Sequence, residues 1–295
     1  MINEFSVWMI IIIVINLSIA VAAISMFRFL LGMLAGVNTT NELSQKDNYA
    51  FGVVFAGGAG AIALILAAAV GGEAEVEFFV EAINVMTYAV AGIALLKIGS
   101  IVNDVVMFHQ ISLKKAISEH NISAGIVQAS NLVALGLLLN SAINWVESEN
   151  WEGILPVLLV FATSQIILLV VTRLRAFIYS RRHPGENLQT AIVDGNPALA
   201  IRFAGHVFGT TLAVGAAGHL VEYIHADPAM SAVAWGSVAL VLALVLSGLS
   251  FIARKAILAK IDVVEEVDNQ QNVGIAFIEA AIFISIGLLL DSVLA

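Results

Sequence analysis

The 295-residue chain has no cysteine, only four prolines, and charge on just 12% of its residues. The absence of cysteine excludes disulfides, thiol catalysis and thiolate metal sites. The scarcity of charge excludes an ordinary soluble domain, in which about a quarter of residues are charged. With so little proline, long helices can run without interruption. A further absence is positional. Stretches 71–81, 147–152 and 222–227, which lie between apolar runs, carry no lysine or arginine, only Glu73, Glu75, Glu77, Glu81, Glu147, Glu149, Glu152, Glu222 and Asp227.

Apolar residues make up 60% of the chain. They gather in eight runs near 5–30, 49–70, 78–99, 122–146, 152–174, 197–221, 229–252 and 273–294. Each is about the 20 residues needed to cross a bilayer as a helix. The expected fold is an all-α polytopic membrane bundle of eight transmembrane helices. The first run lacks a basic leading segment and is too long for a cleavable signal, so it reads as a retained span. No room remains for a soluble catalytic domain.

All 13 lysines and arginines fall at or near the alternate links. Arg28 and Lys46 flank the first. Lys97, Lys114 and Lys115 belong to the third, Arg173, Arg175, Arg181 and Arg182 to the fifth, and Arg254, Lys255 and Lys260 to the seventh. Arg202 lies only six residues past Asn196. The positive-inside rule then places these links in the cytoplasm and both termini outside. In a bacterium, this is a multi-pass inner-membrane protein with periplasmic termini.

Four of the runs open alike. Asn48, Asn121, Asn196 and Asn272 each begin a helix rich in small residues, at steps of 73, 75 and 76 residues. Such a period indicates one structural unit used four times, each a two-span hairpin in parallel orientation. At an offset of 151, Gln128-Ala129 matches Glu279-Ala280, Gly136-Leu-Leu-Leu matches Gly287-Leu-Leu-Leu, and Asn140-Ser141 matches Asp291-Ser292. The chain thus divides into a first four-span half (1–150), a fifth span with linker (151–188) and the rest of the second half (189–295), with repeat units near 41–146 and 189–295.

Asparagine is a preferred helix N-cap, and Asn196-Pro197 adds the favoured proline at the first helical position. Four helix N-termini gathered at one face would also attract an anion or lipid phosphate. Positions 0, +4, +7, +8 and +11 share a helix face; in the first unit these are Asn48, Gly52, Phe55, Ala56 and Ala59. Small residues there let helices approach closely in lipid.

Glu279 is the one acidic residue well inside an expected span. Intramembrane carboxylates are costly and mark ion or proton pathways, or else pair across the bundle, here with Arg202 or Gln128. Gln128, Arg202, which could instead snorkel to the surface, and His206 complete the candidate pathway. Arg173, Arg175, Arg181, Arg182, Arg254 and Lys255 are candidates for docking lipid or a partner. His219, Glu222, His225 and Asp227 do not repeat and spread around a helix, so no metal site is expected. No nucleophile–base–orienter set, phosphate loop or cofactor signature occurs, so neither enzymatic chemistry nor a cofactor is expected. The acidic outer loops and modestly basic inner ones do not suit nucleic acid.

The paired Asn-headed helices, Asp194-Gly195-Asn196-Pro197-Ala198-Leu199-Ala200-Ile201 and the 272–292 segment resemble the YjfL-like family of bacterial membrane proteins, defined by a domain of unknown function (number 350), here in two tandem copies. Asp47-Asn48-Tyr49 departs from that pattern. The resemblance implies a bacterial inner-membrane protein of unestablished activity, and a partner role with membrane-stress proteins of the phage-shock type. The residues themselves favour a channel or transporter for a small ion or proton-linked solute. The alternative is a scaffold or envelope-stress sensor docking a cytoplasmic partner or anionic lipid. Membrane lipids and a second copy of the chain are further expected partners.

Overall fold

The computed structural model describes residues 7–71, 77–146 and 153–295. Glu73, Glu75, Glu147, Glu149 and Glu152 of the expected acidic loops lie outside the described residues. Within the described residues every regular element is helical. Eight helices are long and apolar enough to span a membrane. They are α1 (Val7–Ala35), α3 (Tyr49–Ala69), α4 (Phe78–Val102), α6 (Ile122–Val146), α7 (Ile154–Arg182), α9 (Pro197–Gly215), α10 (Pro228–Ile257) and α11 (Val273–Leu294). Short helices α2 (Thr39–Ser44), α5 (Leu113–Ser118) and α8 (Leu188–Val193) fill three basic-side links. The chain is a multi-pass helical membrane protein.

Helices α1, α7 and α10 run 29, 29 and 30 residues, so their basic-side ends pass the apolar limits near 30, 174 and 252. Nothing in those ends breaks a helix until Gly36 (φ +74) after α1 and Pro184-Gly185 (Gly185 φ +90) after α7. A glycine in the left-handed region is a common stop just past a helix end. Arg175, Arg181, Arg182, Arg254 and Lys255 are therefore helical residues rather than loop residues.

The four Asn-headed helices form a row. Helix α3 packs on α6, α6 on α9 and α9 on α11, while α1, α4, α7 and α10 pack outside that row. Burial follows this order: 78% of the α6 apolar window is buried against 11% for α1, whose remaining surface is left to lipid. Lipid tails are as apolar as leucine, so no hydrophobic force drives helices together in the bilayer; close van der Waals fit must do it.

Both halves achieve that fit at matching positions. A Cβ on Gly57 of α3 would lie 2.8 Å from Ala129 Cβ of α6, and Gly205 of α9 meets Ala280 of α11 in the same way. A Cβ on Gly136 would lie 2.6 Å from Ala61 Cα, and one on Gly287 would lie 2.8 Å from Gly209 O. In α3 this corrects the expected face. Gly52 and Ala56 are half-buried and exposed, and the contact is made by Ala50, Gly57 and Ala61 instead. The physical reason is fit: α3 meets the small residues of α6 with Gly57 and Ala61 at +9 and +13, as α9 meets those of α11 with Gly205 and Gly209.

The halves meet between α6 and α9. The Trp145 indole donates to Val221 O at 2.5 Å, Phe108 packs edge-on against Phe203 with centroids 5.2 Å apart, and Gln189 donates to Met107 O at 3.1 Å.

Gly57→Ala is expected to lower the thermal midpoint in detergent clearly. Gly60→Ala, in the same helix with nothing within 4 Å of its Cβ, is expected to be neutral or to raise it, by about 0.5–1 kcal/mol of helix propensity. Parallel melts of the two variants check this.

Candidate functional site

Each motif asparagine uses both ends of its amide. The oxygen caps its helix, accepting from the N–H three residues on: Phe51 for Asn48 at 3.0 Å, Ala124 for Asn121 at 3.0 Å, Leu199 for Asn196 at 3.1 Å, Ile275 for Asn272 at 3.2 Å. The nitrogen reaches out. Asn48 donates to Ile117 O at 3.1 Å, Asn121 to Val193 O at 2.5 Å, and Asn196 to Val267 O and Asp268 O at 3.2 Å. Each acceptor lies in the link preceding the next motif asparagine. Asn272 has no later motif and donates to Glu266 Oε2 in its own link at 2.7 Å. The residue before every cap is left-handed: Asp47 (φ 46), His120 (φ 66), Gly195 (φ 106) and Gln271 (φ 55). That turn aims the asparagine into the helix, and only Gly195 adopts it without the steric penalty of a Cβ.

The caps stand in the row of their helices rather than around a single mouth. Glu42 packs beneath the first cap, 3% exposed, where it accepts from Lys46 Nζ at 2.7 Å and from Asn48 Nδ2 at 2.9 Å. The hydrogen bond from Lys46 foremost, then that from Asn48, holds its carboxyl below the usual glutamate range.

The second half concentrates buried charge. Glu279 sits seven residues into α11, about 10 Å from its start at the helical rise of 1.5 Å per residue, and is 0% exposed. Its Oε2 accepts from Arg202 Nε at 2.5 Å and its Oε1 from Arg254 at 3.0 Å. Gln128, the other partner considered for it, lies in the first half. Arg202 does not snorkel outward. It also pairs with Asp268 and donates to Val263 O at 3.0 Å. Asp268 faces His183 Nε2 at 3.0 Å. Arg175 lies with its guanidinium 5.0 Å from the Phe283 ring centre, its Nε buried without a hydrogen-bond partner. His206 packs edge-on with the same ring, centroids 3.9 Å apart. Five charged side chains from α7, α9, α10, α11 and the link before α11 thus converge within the basic-side third of the second half.

The first half holds a neutral version of this centre. Gln128 takes the place of Glu279, and Asn103 that of Arg254, at one offset of 151 residues. Asn103 donates to Gln128 Oε1 at 2.9 Å, as Arg254 does to Glu279 Oε1, and Gln128 donates in turn to Ser100. Asn103 opens a π-helical turn, Asn103–Met107, and Asp268 lies in another, Glu265–Asn269. Such turns recur at functional sites.

Asp268, His183, Asn103 and Ser100 were not among the residues singled out from the sequence. The same 151-residue offset that pairs Gln128 with Glu279 would have paired Asn103 with Arg254. No comparable signal marks His183, which reaches Asp268 only across the fold.

Of the six residues expected to dock lipid or a partner, three are engaged inside. Arg173 donates to Val106 O at 2.6 Å and lies 2.8 Å from His109 Nδ1; Arg175 and Arg254 face the charged centre. For Arg175 and Arg254 length decides this, since α7 and α10 carry them past their apolar limits as ordered helix turned toward α9 and α11. Arg181, Arg182 and Lys255 remain exposed. At the opposite face His219 lies 3.1 Å from Asp291, and Asp227 caps α10 through Met230 N at 3.0 Å. Among the described residues no three His, Cys, Asp or Glu side chains gather as a metal site would need.

The model of one family, Domain of Unknown Function (DUF350), matches residues 4–143 and again 149–294. The chain belongs to this family. It carries two tandem copies, and each matched stretch includes its own first span, α1 or α7. No curated protein and no solved structure matches the chain. Membership in DUF350 thus names a family without naming a reaction, and function has to be argued from the charged centre.

Two outcomes are expected from this geometry. Glu279→Gln alone and Arg254→Asn alone should each destabilise the protein, because each leaves a buried charge short of its partner. The double variant Glu279→Gln/Arg254→Asn, which copies Gln128 and Asn103, should recover most of the loss. A thermal or denaturant double-mutant cycle should read a coupling on the order of 0.5–3 kcal/mol. Separately, ionised Glu42 adds stability above the pKa it has in the unfolded chain. That contribution drains away as pH falls through its lower folded value, so Glu42→Gln should flatten the acid limb of the stability–pH curve.

Proposed function

We propose that this DUF350 protein resides in the bacterial inner membrane, termini outside, and moves a small ion or proton-linked solute along the α9–α11 seam of its second half. What carries the reading is the contrast between the copies. Gln128, Asn103 and Ser100 build the first-half centre from neutral hydrogen bonds on the same helix scaffold. The fold therefore does not require charge at these positions. Buried ion pairs are weak contributors to stability, since desolvation offsets much of their attraction. Keeping Glu279 between Arg202 and Arg254 within a span is costly for structure alone, and intramembrane carboxylates of this kind line ion and proton routes.

Further polar groups follow along α9. Beyond the charged centre lie His206, against Phe283 of α11, then buried Thr210 and Thr211, and at the acidic face the His219–Asp291 pair. The one-sided lysines and arginines support the orientation. The absence of a nucleophile–base–orienter set favours a protein that makes and breaks no covalent bonds.

A second reading, a scaffold or stress sensor for a cytoplasmic partner, is favoured by one observation: Arg181, Arg182 and Lys255 stay exposed at the basic face.

The test is flux of protons and common ions in proteoliposomes over a pH series. Glu279→Gln and the fold-preserving Glu279→Gln/Arg254→Asn are expected to lose flux by tenfold or more, about 1.4 kcal/mol per decade. Undiminished flux in the double variant excludes the seam as the route. A wild type with no flux for any ion tested overturns transport and leaves the scaffold reading, to be checked by partner capture with Arg181→Gln/Arg182→Gln as the control.

A further inference from the structure

The first half differs from the second not only in lacking charge. A cavity of about 700 Å³ lies on its basic side, bounded by α1, α3, α4, α5 and α6. Helices α1 and α4 are joined toward the acidic face, where Asn16 donates to Glu81 at 3.0 Å and Trp8 lies 6.2 Å from Phe78. Nearer the basic face the cavity lies between them. Its walls include Met26, Met33, Val90 and Ile101, all largely exposed on the outer surface of the bundle, so it opens sideways where lipid tails lie. The inner wall is Val54, Leu132 and Gln128. The second half has Arg202 and Glu279 where Val54 and Gln128 stand, at offsets of 148 and 151 residues, and there the arginine reaches across to the carboxylate.

The charge at the mouth is uneven. Lys97, Lys114 and Lys115 line it together with Glu42 and Asp104. Glu42 is committed to Lys46 and Asn48, and Asp104 accepts from Leu113 N at 2.6 Å. Lys114 donates to Leu34 O at 2.8 Å, and Lys115 is only loosely paired with Glu119 at 3.8 Å. Lys97 projects from the last turns of α4, exposed, with Lys114 a like-charged neighbour and Asp104 an opposite one. An apolar chamber open to the bilayer, with lysines at the depth where headgroups begin, has the two-part chemistry of a phospholipid. Its volume is within the ~300–1,000 Å³ of small-molecule sites, enough to take an acyl chain.

We infer that the first-half cavity is a binding site for one anionic phospholipid, its acyl chain between α1 and α4 and its phosphate held by Lys97 and Lys114. The site is separate from the charged centre of the second half and stands without the transport reading. The two copies would then divide the work, one holding lipid and one holding buried charge.

The test uses the full-length protein in nanodiscs of phosphatidylcholine doped with phosphatidylglycerol, with retained lipid counted by native mass spectrometry after transfer to detergent. Wild type should retain one phosphatidylglycerol in preference to phosphatidylcholine. Lys97→Gln/Lys114→Gln should lose that preference by about tenfold or more, at roughly 1 kcal/mol per headgroup lysine. Val90→Trp, which narrows the mouth, should reduce retention of both lipids. Equal retention of the two lipids by wild type overturns the inference, as does unchanged preference in the double lysine variant. A photoactivatable phosphatidylglycerol on wild-type protein decides the matter if that variant fails to fold. Adducts concentrated on 26–34 and 90–101 support the site, and adducts spread equally over the matching second-half surfaces overturn it. Inorganic phosphate that competes as well as the lipid would show a headgroup-only ion site and likewise overturn it.

Discussion

In a bilayer, helices have no hydrophobic reason to leave lipid for one another, and everything in this protein depends on how α3 meets α6 and α9 meets α11. Gly57 against Ala129, and Gly205 against Ala280, bring backbones so near that a single added carbon would collide. Close approach multiplies weak dispersion contacts over the length of two helices. It also sets the frame for the rest. Once these pairs are locked, the seventh residue after Asn121 and after Asn272 points toward the outer helices, and Gln128 and Glu279 meet Asn103 and Arg254 at equivalent points.

Much of this was legible in the sequence. Eight apolar runs, one-sided basic residues and four spaced asparagines define a helical membrane protein, and the 151-residue offset exposes the tandem copies. The packing face of α3 was not legible. A list of small residues at +4 and +8 holds for α6 and α11, but α3 uses Ala50, Gly57 and Ala61, about half a revolution away. The same positions recur in α9, where Gly205 and Gly209 meet α11, so the face is set by the helix each must fit and not by the motif alone. The charged centre was half legible. Glu279 and Arg202 stood out as costly residues in apolar surroundings, while Asp268, His183 and Arg254 sat in polar or terminal stretches where charge is ordinary. Their meaning comes from contacts across 25 to 85 residues, which no local pattern encodes.

The two copies show how duplication lets one scaffold carry two different centres. A neutral amide pair and a buried carboxylate with two arginines occupy the same place in the same architecture. Retaining the second arrangement costs desolvation that the first avoids. The converse holds beside it: where Arg202 fills space in the second half, Val54 leaves it open in the first, and the opening faces lipid. Each half has given up what the other keeps.

The asparagine amides carry one more consequence, for how the chain is assembled. Asn48 finds its acceptor at Ile117, Asn121 at Val193 and Asn196 at Val267, always in a stretch synthesised some 70 residues later. The first three hairpins therefore enter the membrane with an amide hydrogen bond still to be made, supplied only by the successor. Asn272 turns to Glu266 in the link just behind it, as Asn48 also does to Glu42. Biogenesis would proceed as a ratchet from the N-terminus. A chain truncated after any of the first three motifs would be left with a buried polar group exposed as a mark of incompleteness, the kind of flaw that membrane quality control can read.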